Sequence, residues 1–392
     1  MSESIERYLE VAQRMQLLTL GAAPGVVYWQ PAGLKLYENL RSYIRTKHQE
    51  ANYVEVKTPA LVNSKLFEQS GHMAKYRENM FIFENGDSED APALRPMSCP
   101  NHIVLYKSIR RSYRELPLSY FEFGEVFRNE PSGSLQVLFR QRQFCQDDAH
   151  VFVTQDQISA SVARYLKMSR AVYLELGFVD VQFAVSLRPE QRFGEDSDWD
   201  KAEEALRSAL KAEGLEWNEL PGGGAFYGPK IEMGVRDKLG RVWQMGVIQL
   251  DYVLPKRFEL QYMGADNGYH TPVLLHHAVL GSLERMIGIL LEIHGTHLPD
   301  YLHPLPVVVL SLSERSADYA KEVHQHVRKQ VRDAVLDISD GPLSAKIAHW
   351  KSVGAKKVYV VGPREAKRHA AGEGMWVSDS SQAVLHSVCL KV

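Results

Sequence analysis

Apolar and polar positions alternate most sharply between Leu118 and Phe152. Phe121, Phe123 and Phe127 share one parity, and Glu122, Gly124 and Arg128 share the other, which is the period-two pattern of a strand. The turn-rich segment Asn129–Ser134 follows, and a second strand-like run, Leu138–Phe144, returns. The pattern predicts a long-looped hairpin with Arg128 and Glu130 at one lip and Arg140, Arg142 and Phe144 on the return.

Before this hairpin, helical spacing runs over Ile5–Leu18 and over Leu34–Glu50, where Leu36, Tyr37, Leu40, Tyr43 and Ile44 recur. Val26–Trp29 reads as a short strand, and Tyr53–Val56 as a strand stopped by Pro59. Phe67–Phe83 reads as a loop and strand, and Glu84–Pro92 as a polar surface turn. Arg95 and Met97 end a strand, Cys99-Pro100 turns, and a helix starts at His102 with Ile103, Tyr106 and Ile109 on one face. Beyond the hairpin, helices are expected over Gln155–Leu176 and Asp200–Glu213, and strands over Phe178–Leu187 and Val242–Tyr252. Gly222–Gly224 is a flexible turn, and Thr271 onward is a strand leading to a helix near Gly281. Strands and helices without regular alternation indicate an α+β fold to about residue 300. From Leu305 strands and helices alternate, which indicates a smaller α/β domain with a parallel core. The boundary falls near Tyr301–Pro306, giving domains 1–302 and 303–392.

Composition narrows this little. At 392 residues and a net charge of −2, the chain has room for two cores and carries no overall nucleic-acid coat. No apolar run is long enough to span a membrane, and the N-terminus lacks a basic-then-apolar signal pattern. Three widely spaced cysteines fit a reducing compartment, so a cytoplasmic protein is expected.

The hairpin carries the chemistry. Arginines fork onto phosphate, a carboxylate accepts from an adenine amino group, and an aromatic ring stacks on a base. A solvated hairpin with surface arginines has the same composition. The stretch FRNEPSGSL followed by QDDAHVF resembles motif 2 of the class II aminoacyl-tRNA synthetases, in particular their threonyl type. VEVKTPAL resembles motif 1, which builds the family's dimer interface, and HHAVLGSLERMIGILLEI resembles motif 3. The resemblance covers residues 5–300 closely and 305–392 poorly.

It implies an antiparallel-sheet catalytic domain, a smaller anticodon-binding-like domain and a homodimer formed around Pro59. It implies activation of threonine by ATP with Mg²⁺, then transfer to tRNA in protein biosynthesis. Arg128 is expected on the α-phosphate, Glu130 on the adenine amino group, and Phe144 and Arg285 on the two faces of the base. Arg140 and Lys230 steady phosphates or the carboxylate, Gln244 touches the nucleotide, and Ser282 helps position substrate. Asp148 holds the substrate ammonium, and Met97, Gln146, Tyr227 and Gln249 line the amino-acid pocket.

Cys99, His150 and His276 offer one thiolate and two imidazoles, a donor set suited to Zn²⁺ with a position left open. From spacing alone the signal is weak, and a buried cysteine with two ordinary histidines is the better reading. The resemblance places the family's zinc ligands on these three residues, one ion per subunit, and assigns His277 no role. Such an ion grips the amino group and side-chain hydroxyl of threonine together, which an apolar pocket facing valine cannot do.

Three departures stand out. The form expected is compact, without the N-terminal editing domain of many relatives. Gln143 and Asn101 occupy positions where glycine is usual; a glutamine there is bulky enough to crowd or re-aim the hairpin, both leave the ligands untouched, and their effect stays open. LDISDGPLSAKIAHW lacks the family's anticodon-facing basic residues, although residues 346–368 hold seven basic residues against Glu365. That basic stretch is either a phosphate footprint or a solvated face. A second function therefore stays open: activation of threonine, or a related β-hydroxy amino acid, for a carrier protein or a biosynthetic metabolite. A non-enzymatic regulatory paralogue is a third reading, and retention of Arg128 and Cys99 speaks against it.

Overall fold

The computed structural model describes residues 3–21, 23–83, 91–236, 240–305, 307–331, 333–380 and 386–390. Most of the turn expected at Glu84–Pro92 lies outside them. By contacts the chain forms two compact units, one of residues 20–27 and 41–293, the other of 1–19, 28–40 and 294–392.

The larger unit is built on an eight-stranded sheet in the order 218–220, 181–186, 230–236, 242–251, 273–282, 143–153, 118–127, 54–55. Neighbours run antiparallel except at the two ends, where 218–220 joins 181–186 and 54–55 joins 118–127 in parallel. An α+β architecture is therefore what the chain adopts. The parity expected for the first hairpin strand holds over Leu118–Phe127. Phe121 stacks on His48 at 4.5 Å, and Phe123 lies under Arg41 and Arg45 at 4.6 and 4.8 Å. Those side chains come from the helix Pro31–Glu50, so the Phe face is the helix-covered face. Truncating Phe121, which is fully buried, to alanine is expected to cost about 3–5 kcal/mol of stability, read in a denaturant melt.

The return strand begins later than its apolar run suggests, at Gln143, and continues to Val153. Leu138 and Phe139 are buried, but outside any strand; a Cβ placed on Gly288 would meet both at 3.3 Å. Their hydrophobicity serves packing on the helix Leu283–His294, not strand pairing. Phe67–Phe83 is mostly helical, with short helices at Lys65–Ser70 and His72–Tyr76. The helix after Met97 starts at Cys99 and ends at Lys107, so Ile109 falls beyond it and is exposed.

The strand Val273–Ser282 breaks register between Ala278 and Ser282. The break leaves backbone groups that need partners. Asp147 accepts from the amides of Val279 (2.8 Å) and Leu280 (3.0 Å). Tyr165 and Tyr173, from the helix Ile158–Glu175, donate to the carbonyls of Ala278 (3.0 Å) and Val279 (2.6 Å). Four of the backbone groups at the irregularity are thereby satisfied, and the helix carrying Arg285 leaves from it.

The other unit holds a five-stranded sheet in the order 335–337, 307–311, 357–361, 375–379, 386–390. The first three strands are parallel, as the alternation predicts; the last two are antiparallel. Helices span Ala317–Gln330, Leu343–Ser352 and Pro363–Ala370. Residues 28–40 group here because Lys35 pairs with Asp333 at 2.5 Å and Asn39 donates to the Leu302 carbonyl at 3.2 Å. No described helix is long and apolar enough to cross a membrane.

Candidate functional site

One row of residues crosses the sheet face opposite the Phe face: Tyr120, His150, His276, Gln249 and Lys230 are successive cross-strand partners. A second row, Glu122, Asp148 and Ala278, runs beside it, and Gly124 opposite Gln146 begins a third. Side chains of alternate residues on five strands are thereby brought to one surface. Above it lies a cavity of about 360 Å³, whose walls include Met97, Cys99, Arg128, Gln146, Asp148, His150, Tyr227, Lys230, Gln244, Gln249 and His276. All eleven were singled out from the sequence.

Donor atoms of Cys99, His150 and His276 lie within 4.8 Å of one another, and all three residues are buried. Cys99 enters at the first position of its helix, His150 and His276 from facing positions on adjacent strands. Each imidazole has one nitrogen occupied: His276 Nε2 meets Asp251 Oδ2 at 2.8 Å, and His150 Nδ1 meets His102 Nδ1 at 2.8 Å. The other nitrogen of each ring is left for a ligand role. Burial pushes the Cys99 thiol well above its ordinary range and the His150 imidazole well below. A thiol so placed ionises only against a cation, so the donor set fits Zn²⁺. His277, one residue on, points to the opposite face, where its Nε2 meets the Tyr53 hydroxyl at 2.8 Å.

Arg128 is held before any ligand arrives. Its Nε donates to the Pro96 carbonyl at 3.2 Å, and its guanidinium stands 5.1 Å from the Phe144 ring centroid. Arg285 is fixed at the far side, donating from Nε to the Phe139 carbonyl (3.1 Å) and from Nη1 to that of Gln244 (3.2 Å). Ser282 caps this turn, donating to Glu284 at 3.0 Å and accepting the Arg285 amide at 3.1 Å. Glu130 and Arg140 pair at 2.8 Å. Lys230 is set by Glu232 at 2.7 Å, and Tyr227 donates to Gln249 at 2.6 Å. Burial raises the Asp148 carboxyl above its ordinary value.

Neither departure distorts the cleft. Gln143 donates to Glu125 at 2.9 Å on the exposed side of the hairpin, so it neither crowds nor re-aims it. Asn101 donates to the Pro59 carbonyl at 2.9 Å and to Thr58 at 3.3 Å. A Cβ on Gly124 would stand 2.6 Å from Ser98 Oγ, so a side chain there would have to turn that hydroxyl aside.

Sequence reading missed His72. Its Nδ1 lies 2.7 Å from the Ser70 hydroxyl, and its Nε2 lies 2.9 Å from Met97 Sδ and 3.8 Å from Cys99 Sγ. Burial lowers its pKa to about 3. A histidine directly after the Ser-Gly turn of GHMAKY was the available signal. Also missed were the polar groups behind the ligands, Asp251, His102 and Glu122.

Residues 81–294 match the family model of the tRNA synthetase class II core domain (G, H, P, S and T), and residues 306–371 that of an anticodon binding domain. The chain is 47% identical over 345 residues to the threonine–tRNA ligase of Polynucleobacter necessarius, covering 88% of this chain and 54% of the relative. The figures for that of Burkholderia mallei are 47% over 343 residues, 88% and 54%. The chain thus spans about half the length of these curated relatives. A crystal structure of the RNA binding domain of threonyl-tRNA synthetase from Cryptosporidium parvum superposes with a TM-score of 0.91 at 37% identity, covering 98% of this chain and 95% of that one. A putative threonyl-tRNA synthetase from Aeropyrum pernix gives 0.82 at 26%, with 98% and 92% covered.

Proposed function

This chain belongs to the class II aminoacyl-tRNA synthetases, and on that premise we propose that it joins threonine to tRNA through a threonyl adenylate, with zinc reading the amino acid. The observation that carries this is the convergence of Cys99, His150 and His276 on the floor of the cleft that holds Arg128 and Lys230. Cys99, His150 and His276 would hold Zn²⁺, which would supply a Lewis acid that distinguishes a hydroxyl-bearing side chain from an apolar one.

Asp148 faces the substrate ammonium, Met97 and Tyr227 close around the methyl group, and Gln146 and Gln249 orient the polar side. The threonine carboxylate attacks the α-phosphorus of ATP, a phosphorus–oxygen bond forms, and pyrophosphate leaves with the electrons of the bond it breaks. No protein nucleophile is needed; positioning and charge suffice. Arg128 meets the α-phosphate, Lys230 and Arg140 steady charge, and Mg²⁺ enters with the nucleotide. Glu130, Gln244, Phe144 and Arg285 seat the adenosine, with Ser282 fixing the Arg285 turn. In the second step a ribose hydroxyl takes the acyl group and AMP leaves. We place catalysis within 1–302 and an anticodon-binding-like domain at 303–392.

A homodimer around Pro59 is supported by the sheet ending at Val54–Glu55 and by Val54, Leu61 and Ile109, which are 54–60% exposed. Three free cysteines suit the cytoplasm.

One observation favours the second reading, a non-tRNA acceptor such as a carrier protein or metabolite. Lys346, which falls where the family's anticodon-facing basic stretch is expected, is buried. It donates to the carbonyls of Ser311 (2.9 Å) and Ser339 (2.7 Å) instead of facing RNA. Pyrophosphate exchange with threonine, followed by acid-precipitable threonine with bulk tRNA, separates the two. Exchange and charging support the first reading, and exchange alone selects the second. Serine, which lacks one methyl, is expected to be activated about 10–200-fold less efficiently than threonine. Serine no better than alanine would remove the expectation.

A further inference from the structure

The two imidazoles of the cluster are oriented differently. His276 leans directly on a carboxylate, Asp251, which is itself fixed by the amides of Val253 (2.7 Å) and Leu254 (2.9 Å). His150 has no such direct partner: the nearest carboxylate oxygen on its Nδ1 side is Asp148 Oδ1 at 3.9 Å. Its Nδ1 instead meets another imidazole nitrogen, His102 Nδ1, at 2.8 Å, with the rings edge to face at 86°.

Two ring nitrogens at that distance share one proton. If His150 presents Nε2 to the ion, its proton is on Nδ1 and is donated to His102. His102 then accepts on Nδ1 and carries its own proton on Nε2, which lies 3.3 Å from Glu122 Oε1. The approach is bent, so the pull of Glu122 on this N–H is electrostatic more than a well-aligned hydrogen bond. Glu122 is in turn held by the Thr58 amide (3.0 Å), the Thr58 hydroxyl (2.7 Å) and Arg95 Nη1 (2.8 Å). Although burial opposes it, these hydrogen bonds and the Arg95 charge hold the Glu122 carboxyl below its ordinary value. Asn101 closes the network by donating to Thr58 and to the Pro59 carbonyl. His102 and Glu122 are both buried, and neither lines the cleft.

We propose that His102, held by Glu122, is the positioning residue that fixes the ring orientation and tautomer of His150, and so sets how tightly the site keeps its ion. This rests on reading Cys99, His150 and His276 as a zinc site. The relay replaces the direct carboxylate that His276 enjoys. It ties one ligand to Thr58 and Arg95, neither of which lines the cleft.

The test uses the full chain loaded with zinc, transfer of the metal to a chelating dye, and the visible absorption of the cobalt-substituted form. In His102→Leu the acceptor is gone, and metal affinity is expected to fall about 10–100-fold, with an altered cobalt band. In His102→Gln the amide oxygen accepts from His150 and the amide nitrogen faces Glu122, so most of the affinity returns. Melting of the metal-free proteins supplies the control, since a purely structural role moves melting and leaves the relative metal affinities of the two variants equal. Parental affinity in His102→Leu, or no rescue in His102→Gln, overturns the proposal. Should neither variant fold, ¹⁵N-histidine spectra of the unaltered zinc protein decide: a proton on His102 Nε2 supports it, and one on Nδ1 overturns it. An unaltered chain that binds no zinc overturns the zinc reading itself, whereas the other failures leave that reading standing.

Discussion

Arg128→Ala is expected to lower the rate of threonine-dependent pyrophosphate exchange by about 10²–10³-fold, the loss seen when one preorganised charge donor is removed from a developing oxyanion. The effect should fall on kcat as much as on KM if the proposed contact of Arg128 is with the phosphate whose charge changes. Its pose needs no reorganisation, being set by the Pro96 carbonyl and the Phe144 ring. Arg128→Lys should recover little, since an ammonium cannot stack on that ring while forking onto phosphate. Exchange kinetics at varied ATP check this; a variant with a raised KM and unchanged kcat would assign Arg128 to ground-state binding alone.

Valine supplies the second test. A site built to bind a hydroxyl rejects the analogue lacking it by about 10⁴–10⁵-fold. The parental protein should discriminate at that level. Cys99→Ala should lose the ion, measured as zinc per chain, and with it both threonine activation and the gap between threonine and valine. The thiol cannot be replaced by its surroundings: the pocket around it is buried, and only a cation stabilises its ionised form. Retained discrimination in a zinc-free Cys99→Ala protein would move the selectivity to Tyr227, Gln249 and Asp148.

How much of this was legible varies with where the information sits. The cleft residues of 118–152 stand out because one hairpin concentrates them and strand parity sorts them by face. His276 was told from His277 by the resemblance alone, and the structure puts the two on opposite faces of the strand. The start of the return strand was misread because Leu138 and Phe139 are apolar for the sake of the helix behind them. The groups behind the ligands leave no trace in spacing. Asp251, His102 and Glu122 come from three distant segments, and each alone is an unremarked polar residue. In the smaller unit the parallel strands were legible from their alternation, whereas the antiparallel strands Met375–Asp379 and His386–Leu390 lack a long apolar run.

The close approach at Gly124 bears on any effort to redesign the amino-acid pocket. With Ser98 Oγ only 2.6 Å from where a Cβ would stand, bulk added at that part of the floor must first turn the Ser98 hydroxyl aside. Engineers seeking room for a larger or noncanonical monomer should therefore carve from the Met97 and Gln146 wall and leave the glycine alone.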